Sequence, residues 1–201
     1  VLDGGAGFDT AVYSDATAAV RADISNNATN QGDAAGDTYI SIDNLVGSAF
    51  NDILKGDNNE NRIEGRDGND TVVGVGDADT LIGGLGNDSI QGNGGNDTVE
   101  GSQGDDTMSG GVPGRDYFVF HEYGPGAADS WGADRILDFE DGVDLLDFRN
   151  SGAYGGSAIT FADLTISQEG ADVLILGPHY GESILLLNRS AAIITSSDFL
   201  F

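Results

Sequence analysis

The chain has 201 residues, with 34 Asp plus Glu against 8 Lys plus Arg, for a formal net charge of -26. A field of that sign repels nucleic acid and anionic membrane surfaces and leaves cations, metal ions first among them, as the natural partners. The 32 glycines beside only 3 prolines exclude collagen and point to a turn-rich array, while the absence of cysteine removes disulfides and thiolate metal sites.

Val1 begins inside a patterned stretch, with no initiating Met and no signal-peptide architecture. We therefore expect an upstream domain of the same polypeptide as a partner. Residues 11–46 alternate as AVYS, VRADI and TYISIDNLV and read as strands, so residues 1–46 form an N-terminal β cap. Within it, GDAAGD at 32–37 offers Asp33 and Asp37 to a site at that end. No run of 18 apolar residues occurs anywhere, so no transmembrane helix is predicted.

From residue 47 a period of nine takes over, with Gly47, Gly56, Gly65, Gly74, Gly83, Gly92, Gly101 and Gly110 at equal intervals. Five residues after each of the first seven comes an acid or its amide: Asp52, Asn61, Asp70, Asp79, Asp88, Asp97 and Asp106. The last unit, GGVPGRDYF, carries an extra residue and reaches Asp116 instead. Two positions beyond each acid stands one apolar side chain, which makes every unit a six-residue polar turn followed by a three-residue strand.

Two units make a coil of 18 residues, placing Leu54, Val72, Ile90 and Met108 in one ladder and Ile63, Leu81, Val99 and Phe118 in the facing one. One buried side chain per nine residues is too little to offset the conformational entropy of ordering them, and the carboxylates repel one another. The array needs a cation. Calcium fits, because it is hard, takes six to eight oxygens, and is served by Asp side chains together with carbonyls of glycine-rich turns.

Past the roll, residues 121–201 read as a C-terminal β cap. DLTIS, DVLIL and SILLL alternate or run apolar between turns, as in a small antiparallel meander. For Asp134, Asp138, Asp141, Asp144 and Asp147, turn and capping chemistry and an extra calcium site both remain open.

These residues resemble the RTX, or haemolysin-type calcium-binding, repeat family with its nonapeptide GGxGxDxUx. GGLGNDSIQ at 83–91 matches throughout, GRDGNDTVV and GNGGNDTVE depart at one or two places, and GGAGFDT at 4–10 looks like an isolated further unit. The resemblance implies an all-β, right-handed parallel β-roll over 47–120, with several calcium ions held between turns of successive coils. It implies ligand pairs 18 residues apart: Asp52 with Asp70, Asp70 with Asp88 and Asp88 with Asp106 on one side.

Asn61 with Asp79, Asp79 with Asp97 and Asp97 with Asp116 lie on the other. Carbonyls of Gly65, Gly68, Gly83, Gly86, Gly92, Gly95, Gly101 and Gly104 serve them, and Asp9 belongs to the isolated unit. Because Asn61 is neutral, Asp77 replaces the fourth-position glycine and Asp116 is out of register, the second side is expected to bind more weakly.

DRILDFEDGVDLLDF at 134–148 resembles the segment after the repeats in serralysin-type proteases and in R-modules of mannuronan C-5 epimerases. The terminal Asp198-Phe199-Leu200-Phe201 is similar to an uncleaved export signal of type I secretion substrates. The resemblance implies a secreted, extracellular or cell-surface module that binds calcium, folds outside the cell and engages the type I secretion machinery. An alternative is a module for an extracellular polysaccharide such as alginate, bridged by Lys55, Arg62 and Arg66.

No catalytic function is expected, since no GxSxG, P-loop or HExxH frame is present. His121 and His179 read as structural, and Trp131 as a packed loop anchor more readily than a sugar contact. An EF-hand fails in DNNENRIEGRDG from Asp57, where the sixth position is Arg62 and the twelfth Gly68. Asn27, Asn69, Asn87, Asn96 and Asn188 open N-x-S/T triplets, which the turn composition explains better than glycosylation does.

Overall fold

A computed structural model of the chain describes residues 1–121, 131–149, 159–177 and 182–201. His179 lies outside the described residues. Two sheets face each other across one narrow core, and nearly every neighbouring pair of strands within them is parallel.

The nine-stranded sheet stacks Arg21–Asp23, Ile53–Lys55, Thr71–Gly76, Ser89–Gly94, Thr107–Gly111, Ala133–Ile136, Ser183–Leu186, Asp172–Leu176 and Thr165–Glu169. The eight-stranded sheet stacks Thr10–Val12, Asn44–Val46, Arg62–Asp67, Thr80–Leu85, Thr98–Gln103, Tyr117–Val119, Leu145–Asp147 and Phe199–Leu200. Consecutive strands of the repeat region alternate between the sheets, which is the architecture of a parallel β-roll.

Both predicted ladders are present and continue past the repeats. Leu54, Val72, Ile90 and Met108 are in register, preceded by Ala22 and followed by Ile136 and Leu186. Facing them run Ala11, Leu45, Ile63, Leu81, Val99, Phe118, Leu146 and Phe199. From Leu54 to Met108 and from Leu45 to Leu146 every rung is fully buried. Because side chains alternate across a strand, one inward residue per short strand suffices to make a continuous apolar column.

Three features differ from the reading of the sequence. The five strands from Arg62–Asp67 to Thr98–Gln103 run six residues, not three, because pairing continues around the corner: after Glu64↔Ile82 the ladder resumes at Arg66↔Gly84 and Asp67↔Leu85. Residues 10–46 supply rungs of the same two sheets, with Ala11 paired to Leu45 and Ala22 to Leu54. Asp116 is in register, because the turn from Gly110 to Arg115 absorbs the extra residue and Phe118 pairs directly with Val99.

The antiparallel meander is present at the far end, as Thr165–Glu169, Asp172–Leu176 and Ser183–Leu186, with its last strand parallel to Ala133–Ile136. There Trp131, Phe120, Phe148 and Phe199 form an aromatic plug, with Phe120 and Phe148 stacked at 5.2 Å and Trp131 edge-on at 5.6 Å from Phe148. Trp131 is thus a packed anchor.

Candidate metal centres

The turns of the repeat explain their own glycines. Positions two and four of the unit have positive φ, as at Gly84 (122°) and Gly86 (122°), a region that costs a side chain strain and glycine nothing. The first position differs. A Cβ on Gly65 would lie 2.2 Å from Asp70 Oδ2 and 2.6 Å from the Gly83 carbonyl oxygen, so glycine keeps open a space into which a carboxylate and the next coil's carbonyl point. Gly83, Gly92 and Gly101 clear the same space before Asp88, Asp97 and Asp106. At the fourth position, a Cβ on Gly86, Gly95 or Gly104 would strike the backbone carbonyl of Gly68, Asp77 or Gly86 one coil earlier.

Each carboxylate is held by one oxygen only. The amide of Asp52 donates to Asp70 Oδ1 (2.7 Å), that of Asp70 to Asp88 (2.7 Å), and that of Asp88 to Asp106 (2.8 Å). On the other side Asn61, Asp79 and Asp97 donate in the same way to Asp79, Asp97 and Asp116. The second oxygen, Oδ2, of Asp70, Asp79, Asp88, Asp97, Asp106 and Asp116 is buried and has no hydrogen-bond partner. Asp9 Oδ2 is likewise buried without a partner, and a Cβ on Gly4 would lie 2.2 Å from the Ser41 carbonyl oxygen and 2.4 Å from Asp9 Cβ.

Asp52 and Asn61, at the start of the array, differ. Asp52 accepts from the Ser48 amide and hydroxyl and from the Val20 amide, so both its oxygens are used. Asn61 accepts from the Asp57 amide (2.8 Å) and donates to the Asp43 carbonyl (2.8 Å). Both close their turn stacks with protein hydrogen bonds. On the second side, Asp77 adopts φ 66° in place of the missing glycine, so the turn keeps its shape despite the substitution.

Burial pushes the carboxyls of Asp70, Asp79 and Asp116 up to about 7, that of Asp88 to about 8 and that of Asp106 to about 6, against an ordinary 3.8. Neighbouring carboxylates add to the rise, whereas the single amide each one accepts opposes it. Burial raises Asp97 as well. Rows of desolvated carboxylates of one sign require a positive counterpart when ionised.

The donor set fits calcium. Among the described residues no three His, Cys, Asp or Glu side chains converge on one point. A cation here would take one carboxylate from a turn and complete its shell with backbone carbonyls. That is an all-oxygen set for a hard ion, with no nitrogen or sulfur for zinc or copper.

The other residues singled out in the sequence have ordinary roles. His121 Nδ1 lies 3.2 Å from Glu100 Oε1, and Asp37 accepts from the Tyr13 hydroxyl at 3.0 Å. Asp33 sits in a short 3-10 turn, Gly32–Ala34. Lys55 lies on the nine-stranded sheet beside Asp23 (3.8 Å), whereas Arg62 and Arg66 lie on the eight-stranded sheet, paired with Glu64 (3.7 Å) and the Ser14 carbonyl (3.3 Å). The basic patch is divided between two faces. Asn69, Asn87 and Asn96 side chains accept from the amides of Asn87, Asp105 and Arg115, which gives these triplets a structural use.

Sequence reasoning missed the continuation of the turn stacks beyond the period. The Asp106 amide donates to Asp134 Oδ1 (2.9 Å) and the Asp116 amide to Asp144 Oδ1 (3.0 Å), each across 28 residues. The one available signal was the small-x-Asp pattern shared by Gly132-Ala133-Asp134 and Gly104-Asp105-Asp106.

Residues 39–72 and 73–111 match the family model for the RTX calcium-binding nonapeptide repeat (4 copies). A search of curated protein sequences returns no match. Among solved structures, the chain is similar to the R3 subunit of the Azotobacter vinelandii mannuronan C5-epimerase AlgE6, at 25% identity and TM-score 0.49, covering 73% of this chain and 80% of that one. It is similar to the R2 subunit of the same epimerase at 25% identity and TM-score 0.48, covering 78% and 91%. The extracellular lipase LipA of Serratia marcescens aligns at 16% identity and TM-score 0.37, with 79% of this chain spanning 40% of the lipase. Residues 39–111 match RTX calcium-binding nonapeptide repeats, and this stretch folds as a parallel β-roll.

Proposed function

We propose that this chain is a non-catalytic calcium-binding module of a secreted protein, unfolded where calcium is scarce and folded by calcium outside the cell. The observation that carries the reading is the double row of buried Asp Oδ2 atoms without partners. Ionised and unpaired, they oppose folding; with calcium between the turns they hold successive coils together. Ion binding then becomes folding free energy. Extracellular calcium modules work at about 10⁻⁴ to 10⁻³ M, so a calcium-poor cytosol leaves such a chain open.

The C-terminal residues support an order of events. In the folded roll Phe199–Leu200 is the last strand of the eight-stranded sheet and Asp198 is buried. A type I secretion apparatus that reads these residues would therefore meet them in the unfolded chain, before calcium folds it and stabilises an upstream domain. A polysaccharide-holding role has lost its basic patch to the division between sheets.

Small-angle X-ray scattering tests the proposal. A folded domain of this length has a radius of gyration of about 17 Å and an unfolded chain about 48 Å. The expanded value in chelator and a compact one in millimolar calcium are expected. A compact chain in both would refute it.

A further inference from the structure

We propose that a further cation site lies beyond the repeats, on the side of Asp70, Asp88 and Asp106, with Asp134 as its carboxylate ligand. It rests on the calcium reading above and takes the same class of ligand, a hard divalent cation. The family model ends at residue 111, and Asp134 belongs to no nonapeptide.

The local structure is nonetheless that of one more rung. Strand Ala133–Ile136 lies parallel to Thr107–Gly111, with Met108 opposite Ile136. Asp134 Oδ1 accepts from the Asp106 amide at 2.9 Å, as Asp106 Oδ1 accepts from Asp88 at 2.8 Å. Gly132 has φ +89°, and a Cβ there would lie 2.0 Å from the Gly104 carbonyl oxygen and 3.1 Å from Asp105 Oδ1. Gly104 meets the Gly86 carbonyl and Asn87 Oδ1 at the same two distances. Gly132, Ala133 and Asp134 thus repeat the placement of Gly104, Asp105 and Asp106.

The second observation is the side chain itself. Asp134 is 2% exposed, and its Oδ2 is buried without a hydrogen-bond partner. Chain closure alone does not require such an atom, as the opposite side shows. There Asp144 occupies the matching rung, but its Oδ1 accepts from Asp116 (3.0 Å) and its Oδ2 from the Glu140 amide (2.7 Å). Asp144 ends its stack with protein donors, whereas Asp134 ends its own with an open oxygen.

The test is calcium stoichiometry by equilibrium dialysis on the full chain, on Asp134→Asn and on Asp144→Asn. An amide fits a rung, as Asn61 demonstrates by accepting from the Asp57 amide and donating to the Asp43 carbonyl, and an amide oxygen in place of Asp134 Oδ1 can still accept from the Asp106 amide. Asp134→Asn is expected to bind one ion fewer than the parent, and Asp144→Asn the same number as the parent. Equal stoichiometry for Asp134→Asn, or equal losses in both variants, would overturn the inference. A parent that binds no calcium would overturn the calcium reading and this inference with it.

If circular dichroism finds Asp134→Asn unfolded in calcium, the parent decides. Trp131, the only tryptophan, stands three residues from Asp134. Terbium added to the parent is expected to show emission sensitised through the tryptophan band, and its absence would overturn the inference.

Discussion

The amide of Asp70 donates to Asp88 Oδ1 at 2.7 Å while Asp88 Oδ2, buried, receives nothing. One half of the carboxylate builds the fold, and the other half is the one the proposal gives to a cation. Asp88→Asn separates these halves. The amide can keep the inter-coil hydrogen bond and cannot ionise, so in chelator the variant is expected to be no less stable than the parent at any pH at which the calcium-free chain retains structure. In saturating calcium it is expected to lose about 1–3 kcal/mol, the cost of an unmet buried group in place of a charged ligand. Paired denaturant titrations measure both, and equal losses in both buffers would contradict the division of roles.

Asp52→Asn is expected to behave differently. Both Asp52 oxygens accept from protein donors, including the Ser48 amide, so an Asn nitrogen there faces another donor. A loss of about 1–3 kcal/mol is expected in chelator and calcium alike, for any structure present in each. Calcium stoichiometry should not change.

The pH dependence without calcium has a definite sign. Burial raises the folded-state carboxyls of Asp70, Asp79 and Asp116 to about 7 and of Asp88 to about 8, above the ordinary 3.8. A raised pKa means that the folded state binds protons more tightly than the unfolded one. The stabilisation is therefore full below about 3.8 and lost as pH rises through about 7 to 8. Denaturation midpoints in chelator are expected to fall across that window, while calcium affinity rises as protons leave its ligands. A midpoint in chelator that climbs with pH would contradict the assignment.

The unit from Gly74 to Asp79 contains two residues in glycine conformations, Val75 at φ 118° and Asp77 at φ 66°. A β-branched residue at positive φ is strained. Val75→Gly is expected to gain about 1 kcal/mol, because relief of about 1–3 kcal/mol of strain exceeds the added entropy of glycine, about 0.5–1 kcal/mol. A lower calcium midpoint for folding is the readout, and a higher one would place the strain elsewhere.

The period of nine makes the centre of this protein legible in its sequence. Leu54 to Met108 and Ile63 to Phe118 form the two predicted columns because equal spacing brings equal side chains to one face. Beyond residue 118 and ahead of residue 47 the coils continue but their spacing does not: Asp106 and Asp134 are adjacent rungs separated by 28 residues. A parallel ladder fixes only the register of its strands, and connections of any length satisfy it, so periodicity cannot find such rungs. The extra residue ahead of Asp116 misled for the same reason, since a turn absorbed it. Which carboxylates are open and which are closed depends on donors such as Ser48 and Glu140, whose approach no spacing rule encodes.

The central claim is that calcium causes the fold, and far-UV circular dichroism of the isolated chain at pH 8 tests it most directly. In chelator the account predicts a coil spectrum, converted to β by calcium and not by magnesium at equal concentration. A full β spectrum in chelator at that pH would contradict it: the two columns and the aromatic plug would then fold alone, and calcium would be a ligand of the roll without being its cause.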